Sequence, residues 1–300
     1  QQPDQAMKKA LVIINPIAGS GTGLHLLGLA QNSPLASGVE LELQVTQGPG
    51  HAAQLADDAL ARGFDTLVAA GGDGTVNEVA SRLVHTTARL GIIPLGSGNG
   101  LARQLGWSDK PDLAMKQLLH SDTQKIDTLS LNGRFGVNVS GLGLDGYVAW
   151  RFNHEGHRGL SNYTRIALQE FFRYPSVQYT IRSGRQDEFT RNAHMCVIAN
   201  SPEFGNKALI APRALLSDGL MDIVFVRRPP LHRLPGIMLR LFRGNLKDNA
   251  WVETHQTNHI SIKTDRPVHL HIDGEALPPT ETLEVRVLPG SLLIAKPGAA

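Results

Sequence analysis

An α/β domain with a mostly parallel sheet, followed by a β-sandwich domain, is the fold class this sequence predicts. Three observations point there. In roughly the first 125 residues, strand-like apolar runs alternate with amphipathic helical patterns, the signature of a parallel sheet covered by helices. Beyond them come many short alternating strands with turn residues between, as in antiparallel sandwiches. The 300 residues, 41% hydrophobic and 19% charged, suffice for two domains with a core each. We place the domains at residues 7–124 and 125–300, with the option that the C-terminal strand returns to the first.

The elements follow in order. Ala10 to Ile14 is a buried strand. Val39, Leu41, Leu43 and Val45 alternate with Glu and Gln, so one face of that strand is wet. His51 to Arg62 carries Leu55, Ala56, Ala59 and Leu60 at helical spacing, and Thr66 to Ala70 is a second buried strand. Val76, Val79, Ala80, Leu83 and Val84 define an amphipathic helix, and Leu90 to Pro94 a fourth strand. In the second half, alternation marks strands around Val177 to Ile181, Ile260 to Ile262, Val268 to Ile272 and Leu283 to Val287. His194 to Ala199 and Met221 to Val226 add two more. Helical patterns cover Tyr163 to Tyr174 and Leu231 to Leu246.

Composition excludes several classes. The 29 basic and 27 acidic residues give a formal charge of +2, too small for a protein built mainly to bind nucleic acid. The apolar content excludes a disordered chain. The single cysteine, Cys196, cannot form an intrachain disulfide, and no Cys/His spacing suggests zinc. No stretch approaches the ~20 apolar residues of a membrane span. Met7 reads as a natural start, with Gln1 to Ala6 as an extension, and the chain reads as cytoplasmic.

Three glycine-rich segments each follow an expected strand: Asn15 to Gly23, Gly71-Gly-Asp-Gly-Thr-Val-Asn-Glu78, and Pro94-Leu-Gly-Ser-Gly-Asn-Gly100. Strand C-termini of a parallel sheet meet at one edge, where ligands bind. Glycine there lets backbone N–H groups approach phosphate oxygens. A P-loop, a dinucleotide fingerprint and the protein-kinase motifs are all absent. What remains is G-G-D-G-T opening a helix. Asp73 sits in flexible backbone, where its carboxylate can meet Mg²⁺ or a hydroxyl, and the Gly74 and Thr75 amides can face phosphates.

Gly71 to Val79 together with Pro94 to Asn99 resembles the catalytic domain of diacylglycerol kinases and sphingosine kinases. Asn138-Val-Ser-Gly-Leu-Gly-Leu-Asp145, Ala199 to Gly205, Ala211 to Ala214, Ser217 to Asp222 and Asp273-Gly-Glu275 are similar to further signatures of that family, in family order. The resemblance runs from about Lys9 to Ile294. It implies a nucleotide-binding α/β domain and a β-sandwich domain with the active site in the cleft between them. The implied activity is an ATP-dependent lipid kinase that moves the γ-phosphate to a hydroxyl of a long-chain lipid, sphingoid- or ceramide-like or diacylglycerol-like.

The same resemblance implies site residues. Asn15, Thr46, Gly71, Gly72, Asp73, Gly74, Thr75, Val76, Asn77 and Ser97 would border ATP. Asp273 and Glu275 would complete the site from the second domain. Leu215, Asp218 and Leu220 are similar to a metal site of bacterial members, two of them through backbone carbonyls. Asp218-Gly219 also reads as a plain turn. Ser97-Gly-Asn99 tilts the acceptor toward the sphingosine and ceramide branch.

An alcohol attacks phosphorus weakly unless a carboxylate takes its proton. We favour Glu275 or Asp273 as that base, with Asp73 on the Mg²⁺–phosphate side; the reverse assignment stays open. The segment Arg227 to Lys247 holds six basic residues and no acid, interleaved with Leu231, Leu234, Ile237, Met238, Leu241 and Phe242. It reads as a basic amphipathic helix for an anionic membrane surface, or as an ordinary surface helix. Leu142, Leu144, Tyr147, Val148, Trp150 and Phe152, or Leu168, Phe171 and Phe172, are candidates for a lipid-tail pocket or for core. His269-x-His271 places two imidazoles on one strand face, and no metal site is read there for want of a third ligand. His154 and His157 lie in a polar loop without a zinc-protease pattern. The competing readings are a kinase of a soluble acceptor such as NAD and a non-catalytic nucleotide- or lipid-binding regulator.

Overall fold

The computed structural model describes residues 7–21, 39–155, 160–183, 188–204 and 207–297. Gln1 to Ala6, Gly23, His157 and Gly205 of the readings above lie outside the described residues. The chain forms two compact units: Gln1–Ile126 with Gly290–Ala300, and Asp127–Pro289.

In the first unit, β1 (Lys9–Ile14), β2 (Glu40–Val45), α1 (His51–Ala61), β3 (Thr66–Gly71), α2 (Asp73–Leu83), β4 (Arg89–Pro94), α3 (Gly100–Gln104) and α4 (Pro111–Leu119) follow in chain order. The strands pair in parallel in the order β2-β1-β3-β4. Leu293 and Ile294 from the end of the chain add a further parallel pairing on β4. Every residue of β3 and β4 is buried, which is why these strands read as unbroken apolar runs. β2 is half-buried, as its alternation of Leu with Glu and Gln requires. Helix α2 starts inside the glycine motif itself, and it buries Val76, Val79, Ala80 and Leu83 on β3 and β4. Helix α4 was not read from the sequence. Its signal is there in retrospect: Pro111 opens the helix and Asp112 sits in its first turn.

In the second unit, β5 (Asp122–Leu131) leads into β6 (Arg134–Gly136), β7 (Val139–Gly143), α5 (Leu144–His154), α6 (Leu160–Phe171), β8 (Val177–Ser183), β9 (Phe189–Ala193), β10 (Met195–Ala199), β11 (Met221–Val226), α7 (Leu234–Phe242), β12 (Val252–Thr257), β13 (His259–Ile272) and β14 (Glu275–Lys296). The first stretch of β5, up to Ile126, and the last stretch of β14, from Gly290, belong to the first unit. Pairing is antiparallel in the order β12-β11-β10-β7-β13, and β13 also pairs with β8 and β14. Strand β13 changes register on β14 between Lys263 and Leu270. Before the shift it pairs with β8, after it with β7. Such irregularities let one strand bend and serve two sheets of a sandwich. Tyr179, Phe225, Ile198, Ile223 and Val285 fill one core; Val197, Val224 and Ile210 fill another.

One expectation needs correction here. The helix expected over 231–246 is a 3-10 turn, Leu231–Arg233, followed by nine residues of α7. It stops because Gly244 takes φ 65°, a left-handed C-terminal cap. Of the apolar residues read as lipid-tail pocket or core, three fall to the core, while Leu168 and Phe172 are exposed. Leu142 belongs to the sandwich core, and Leu144 and Val148 pack with Ile166.

Candidate active site

Three glycines of the loops after β3 and β4, Gly71, Gly96 and Gly98, are demanded by close approach. A Cβ on Gly96 would lie 2.6 Å from the Gly72 Cα, so the loops after β3 and β4 meet backbone to backbone. A Cβ on Gly71 would meet the Thr75 side chain at 2.4 Å, and one on Gly98 would meet Asp73 Oδ2 at the same distance. Over Gly74 there is open space. No side chain caps α2, and its first intrahelical bond runs from the Val76 N–H to the Gly72 carbonyl at 3.1 Å. The first-turn amides of an uncapped helix suit an anion.

Asp73 ties the two loops together. Its Oδ2 accepts the Asn99 N–H at 2.8 Å and its Oδ1 the Gly100 N–H at 3.0 Å, so it caps α3 from the first turn of α2. Burial raises its pKa above the ordinary carboxylate value, against the pull of those amides and of the Arg103 charge. Asn99, at φ 50°, closes the second loop on itself: its Oδ1 accepts the Gly96 N–H at 3.0 Å and its Nδ2 donates to the Gly96 carbonyl at 2.6 Å. Ser97 is exposed at the tip of that loop. With Pro94, Leu95, Gly96, Arg103 and Asp109 it borders a cavity of about 300 Å³.

Asn15 follows β1, and its Nδ2 donates to Thr75 Oγ1 at 3.2 Å. Thr46 follows β2, is buried, and donates its N–H to the Ile14 carbonyl at 2.9 Å. The structure thus brings Asn15, Thr46 and Gly71 to Thr75 to the C-terminal ends of adjacent parallel strands. Val76 is different. Its side chain is in the core, so only its backbone faces the loop. Asn77 is half-buried on α2. Two residues of this region escaped the sequence reading. Glu78 accepts the Gly50 and Ala52 N–H groups at 2.9 and 3.1 Å, pinning the start of α1 to α2. Arg103 supplies the positive charge beside Asp73.

In the second unit, Asp273 and Gly274 form the turn between β13 and β14, at φ 50° and 87°. The Asp273 carboxylate accepts the Val137 N–H at 2.8 Å and the Asn138 N–H at 2.9 Å, while its own N–H donates to the Val139 carbonyl at 3.1 Å. Glu275, first residue of β14, is exposed. Around the turn lie polar residues that spacing did not reveal. Asn200 donates to the Asp127 and Val137 carbonyls, both at 2.9 Å, and Ser201 donates to Asn138 Oδ1.

Leu215, Asp218 and Leu220 lie on the approach to β11. Asp218 Oδ1 accepts the Leu220 N–H at 3.0 Å, and Asp127 Oδ2 accepts the Gly219 N–H at 2.7 Å with Gly219 at φ 74°. These bonds account for the turn by themselves. Among the described residues no three His, Cys, Asp or Glu side chains gather as metal ligands.

Comparison with known proteins agrees with this architecture. Residues 9–131 match the diacylglycerol kinase catalytic domain, and residues 138–296 match the YegS C-terminal NAD kinase beta sandwich-like domain. A probable lipid kinase YegS-like protein of Pseudomonas fluorescens is 30% identical over 97% of this chain and 96% of its own length. A diacylglycerol kinase of Bacillus subtilis is 27% identical over 90% of each. Among solved structures, a diacylglycerol kinase from Bacillus anthracis superposes with a TM-score of 0.74 at 22% identity, covering 97% of both chains. An NAD kinase from Archaeoglobus fulgidus in complex with ATP shares the fold more distantly, with a TM-score of 0.53 at 12% identity over 96% of this chain and 94% of its own. Two matched domains in order, joined by relatives that span the whole chain, leave one conclusion: the chain belongs to the family of diacylglycerol kinases and YegS-like lipid kinases and is an enzyme of that lipid-kinase class.

Proposed function

We propose that the chain transfers the γ-phosphate of ATP to a hydroxyl of a long-chain lipid, with diacylglycerol-type acceptors first. The observation that carries the reading is the contact of the two glycine loops at Gly72 and Gly96, bound together by Asp73 beside an uncapped helix start. Loops held this way present backbone N–H groups to phosphate without moving during the reaction, which is how phosphoryl transfer gains most of its rate. The acceptor preference rests on the relatives named diacylglycerol kinase. Ser97-Gly98-Asn99 keeps a sphingoid or ceramide acceptor as the second choice; in the loop itself Gly98 packs on Asp73 and Asn99 bonds Gly96.

Glu275 is the better base. Glu275 is exposed at the start of β14, where its carboxylate can reach a hydroxyl, whereas the Asp273 carboxylate is turned inward onto the Val137 and Asn138 amides and holds the turn. We assign Asp73 to the Mg²⁺ side of the nucleotide. Its two oxygens accept one amide each, and a carboxylate offers about four lone-pair sites, so capacity for a cation remains. A bound Mg²⁺ supplies neutralisation of the phosphate charge. We give the Leu215, Asp218 and Leu220 loop the role of a turn rather than of a second metal site.

The acceptor lies in a bilayer, and we propose that the enzyme, cytoplasmic, docks there through α7 and the turn before it. Ile237 and Leu241 pack on the core, but Leu231 is 70% exposed, Leu239 51% and Phe242 52%, next to Arg233, Arg240 and Arg243. Exposed apolar residues rimmed by arginine suit an anionic lipid surface. No helix among the described residues is long and apolar enough to cross a membrane.

The test is transfer from ATP radiolabelled on the γ-phosphate, over long-chain diacylglycerols, ceramide, sphingosine and NAD. Label in long-chain lipid, lost as the chains shorten, supports the reading. Each buried CH₂ contributes roughly 0.8 kcal/mol, so the loss should be steep. Equal labelling of NAD or of short alcohols overturns it.

A further inference from the structure

The strand before the Asp273–Gly274 turn carries a buried polar relay that the chemistry above does not use. His271, on β13, is 5% exposed, and Asp145, in the first turn of α5, is 6% exposed. His271 Nε2 lies 2.8 Å from Asp145 Oδ2. On the other side of the ring, Nδ1 accepts the Gly274 N–H at 3.1 Å. That amide assigns the tautomer: with a lone pair on Nδ1, the ring proton sits on Nε2 and is donated to the carboxylate. Tyr163, on α6, hydrogen-bonds the same carboxylate, and burial with the Asp145 charge pushes its phenol pKa upward. Burial disfavours the imidazolium, the Asp145 charge favours it, and the balance lies above an ordinary histidine. A second ring proton, on Nδ1, would take up that lone pair and set one N–H donor against the Gly274 N–H.

The backbone is shaped to admit this relay. A Cβ on Gly141 would lie 2.1 Å from Asp145 Oδ2, so β7 leaves the carboxylate its place. A Cβ on Gly146 would lie 2.2 Å from the His269 carbonyl, so α5 rests directly on the β13 backbone two residues before His271. Polar groups buried this deeply cost stability unless each finds its partner. Here the last partner is the amide of the residue between Asp273 and Glu275.

We propose that His271 is a positioning residue for phosphoryl transfer: held by Asp145, its Nδ1 fixes the Gly274 amide and so sets the direction in which Glu275 leaves the turn. The proposal rests on Glu275 being the base. His269, two residues earlier on the same face, takes no part. It lies among Tyr147 and Trp150, with ring centroids 5.1 Å away in both cases.

Two isosteres separate this role from packing. In His271→Asn, the side-chain oxygen takes the place of Nδ1 and keeps an acceptor for Gly274. In His271→Gln, the amide takes the place of Nε2 and keeps Asp145 but loses Gly274. Steady-state kinetics with ATP and a long-chain diacylglycerol should show kcat lowered about 10- to 100-fold in the Gln variant, with both KM values nearly unchanged, because small misplacements of a reacting group carry such costs. The Asn variant should keep kcat within about 3-fold of wild type but melt at a lower temperature, because Asp145 loses its His271 donor. Hydrogen exchange of the Gly274 amide, read by NMR, should lose protection in Gln and keep it in Asn. Equal losses in both variants, or a Gln variant with wild-type kcat and a protected amide, overturn the proposal. The exchange readout does not depend on activity, so it separates the two ideas: if Glu275→Gln turns over normally the base assignment fails, while Gly274 protection still decides whether His271 holds the turn.

Discussion

The glycine loops of the first unit and the Asp273 turn of the second are fixed by opposite means. In the first, residues are removed from the problem. Gly72 and Gly96 approach because neither has a side chain, and a single carboxylate, Asp73, ties what is left. In the second, side chains are added. Asp273 holds two amides, Asn200 holds two carbonyls, Ser201 holds Asn138, and His271 holds Gly274. Glycine backbone is free to rotate, so the cradle resists movement only through its close packing and the Asp73 bonds. A side-chain lattice resists only while every member is present, and a missing member leaves a buried group unpaired.

The largest expected effect tests that difference at the two carboxylates. Asp73→Asn replaces one acceptor oxygen by an NH₂ group, so one of the Asn99 and Gly100 amides loses its partner and the loops separate. Turnover should fall about 10²-fold or more, with KM for ATP rising as well. Glu275→Gln should lower kcat by a similar factor with KM for ATP and Tm unchanged, because its side chain is exposed. Steady-state kinetics with thermal melts separate the two patterns. An Asp73→Asn enzyme within a few-fold of wild type would remove Asp73 from the site.

This asymmetry also explains what could be read from the sequence. The first unit's site is contiguous: Gly71 to Glu78 and Gly96 to Asn99 are short strings whose glycines announce close approach, and their strands are apolar runs. Even there Glu78 and Arg103 passed unassigned, since a Glu or Arg on a helix has no special spacing. The second unit's turn draws on residues from 137 to 275, and nothing in an isolated Asn200 or His271 says which turn it will brace. The length of α7 departs from its hydrophobic pattern for a related reason. Leu231 to Leu246 is continuous in hydrophobic pattern, but a left-handed Gly244 ends the helix at Phe242.

A Cβ on either side of the loop contact sharpens the comparison next. Gly96→Ala places a methyl group 2.6 Å from the Gly72 Cα, where backbone rather than a mobile side-chain tip must yield. Overpacking of this kind costs about 1–3 kcal/mol, seen as a lower Tm, and ATP affinity should fall with it. Gly74→Ala, in open space on α2, should leave Tm unchanged or slightly raised, because Ala suits a helix better than Gly. Equal melting of the two variants would mean the loops do not press on each other. In the second unit, Asp273→Asn keeps one acceptor and loses the other. It should cost about 1–3 kcal/mol through a single unpaired amide, Val137 or Asn138, with kcat falling less than in Glu275→Gln. If Asp273→Asn instead abolishes turnover with no loss of Tm, Asp273 is the base and Glu275 is not.

The smallest effects belong to the surface that neither site uses. Arg240→Glu with Arg243→Glu changes two exposed charges beside Leu239 and Phe242 and touches no core. Each basic residue near an anionic membrane contributes on the order of 1 kcal/mol, so the pair should weaken binding to phosphatidylserine-containing vesicles at low salt by about 10-fold or more. Phe242→Ser removes an apolar contact instead, and it should weaken binding to anionic and to neutral vesicles alike. Vesicle sedimentation reads both. Turnover on vesicle lipid should slow in proportion, while turnover on acceptor dispersed in detergent stays near wild type, because the glycine loops and the Asp273 turn are untouched. Unaltered vesicle binding in both variants would return α7 to the role of an ordinary surface helix. The acceptor would then reach Glu275 by another face of the second unit.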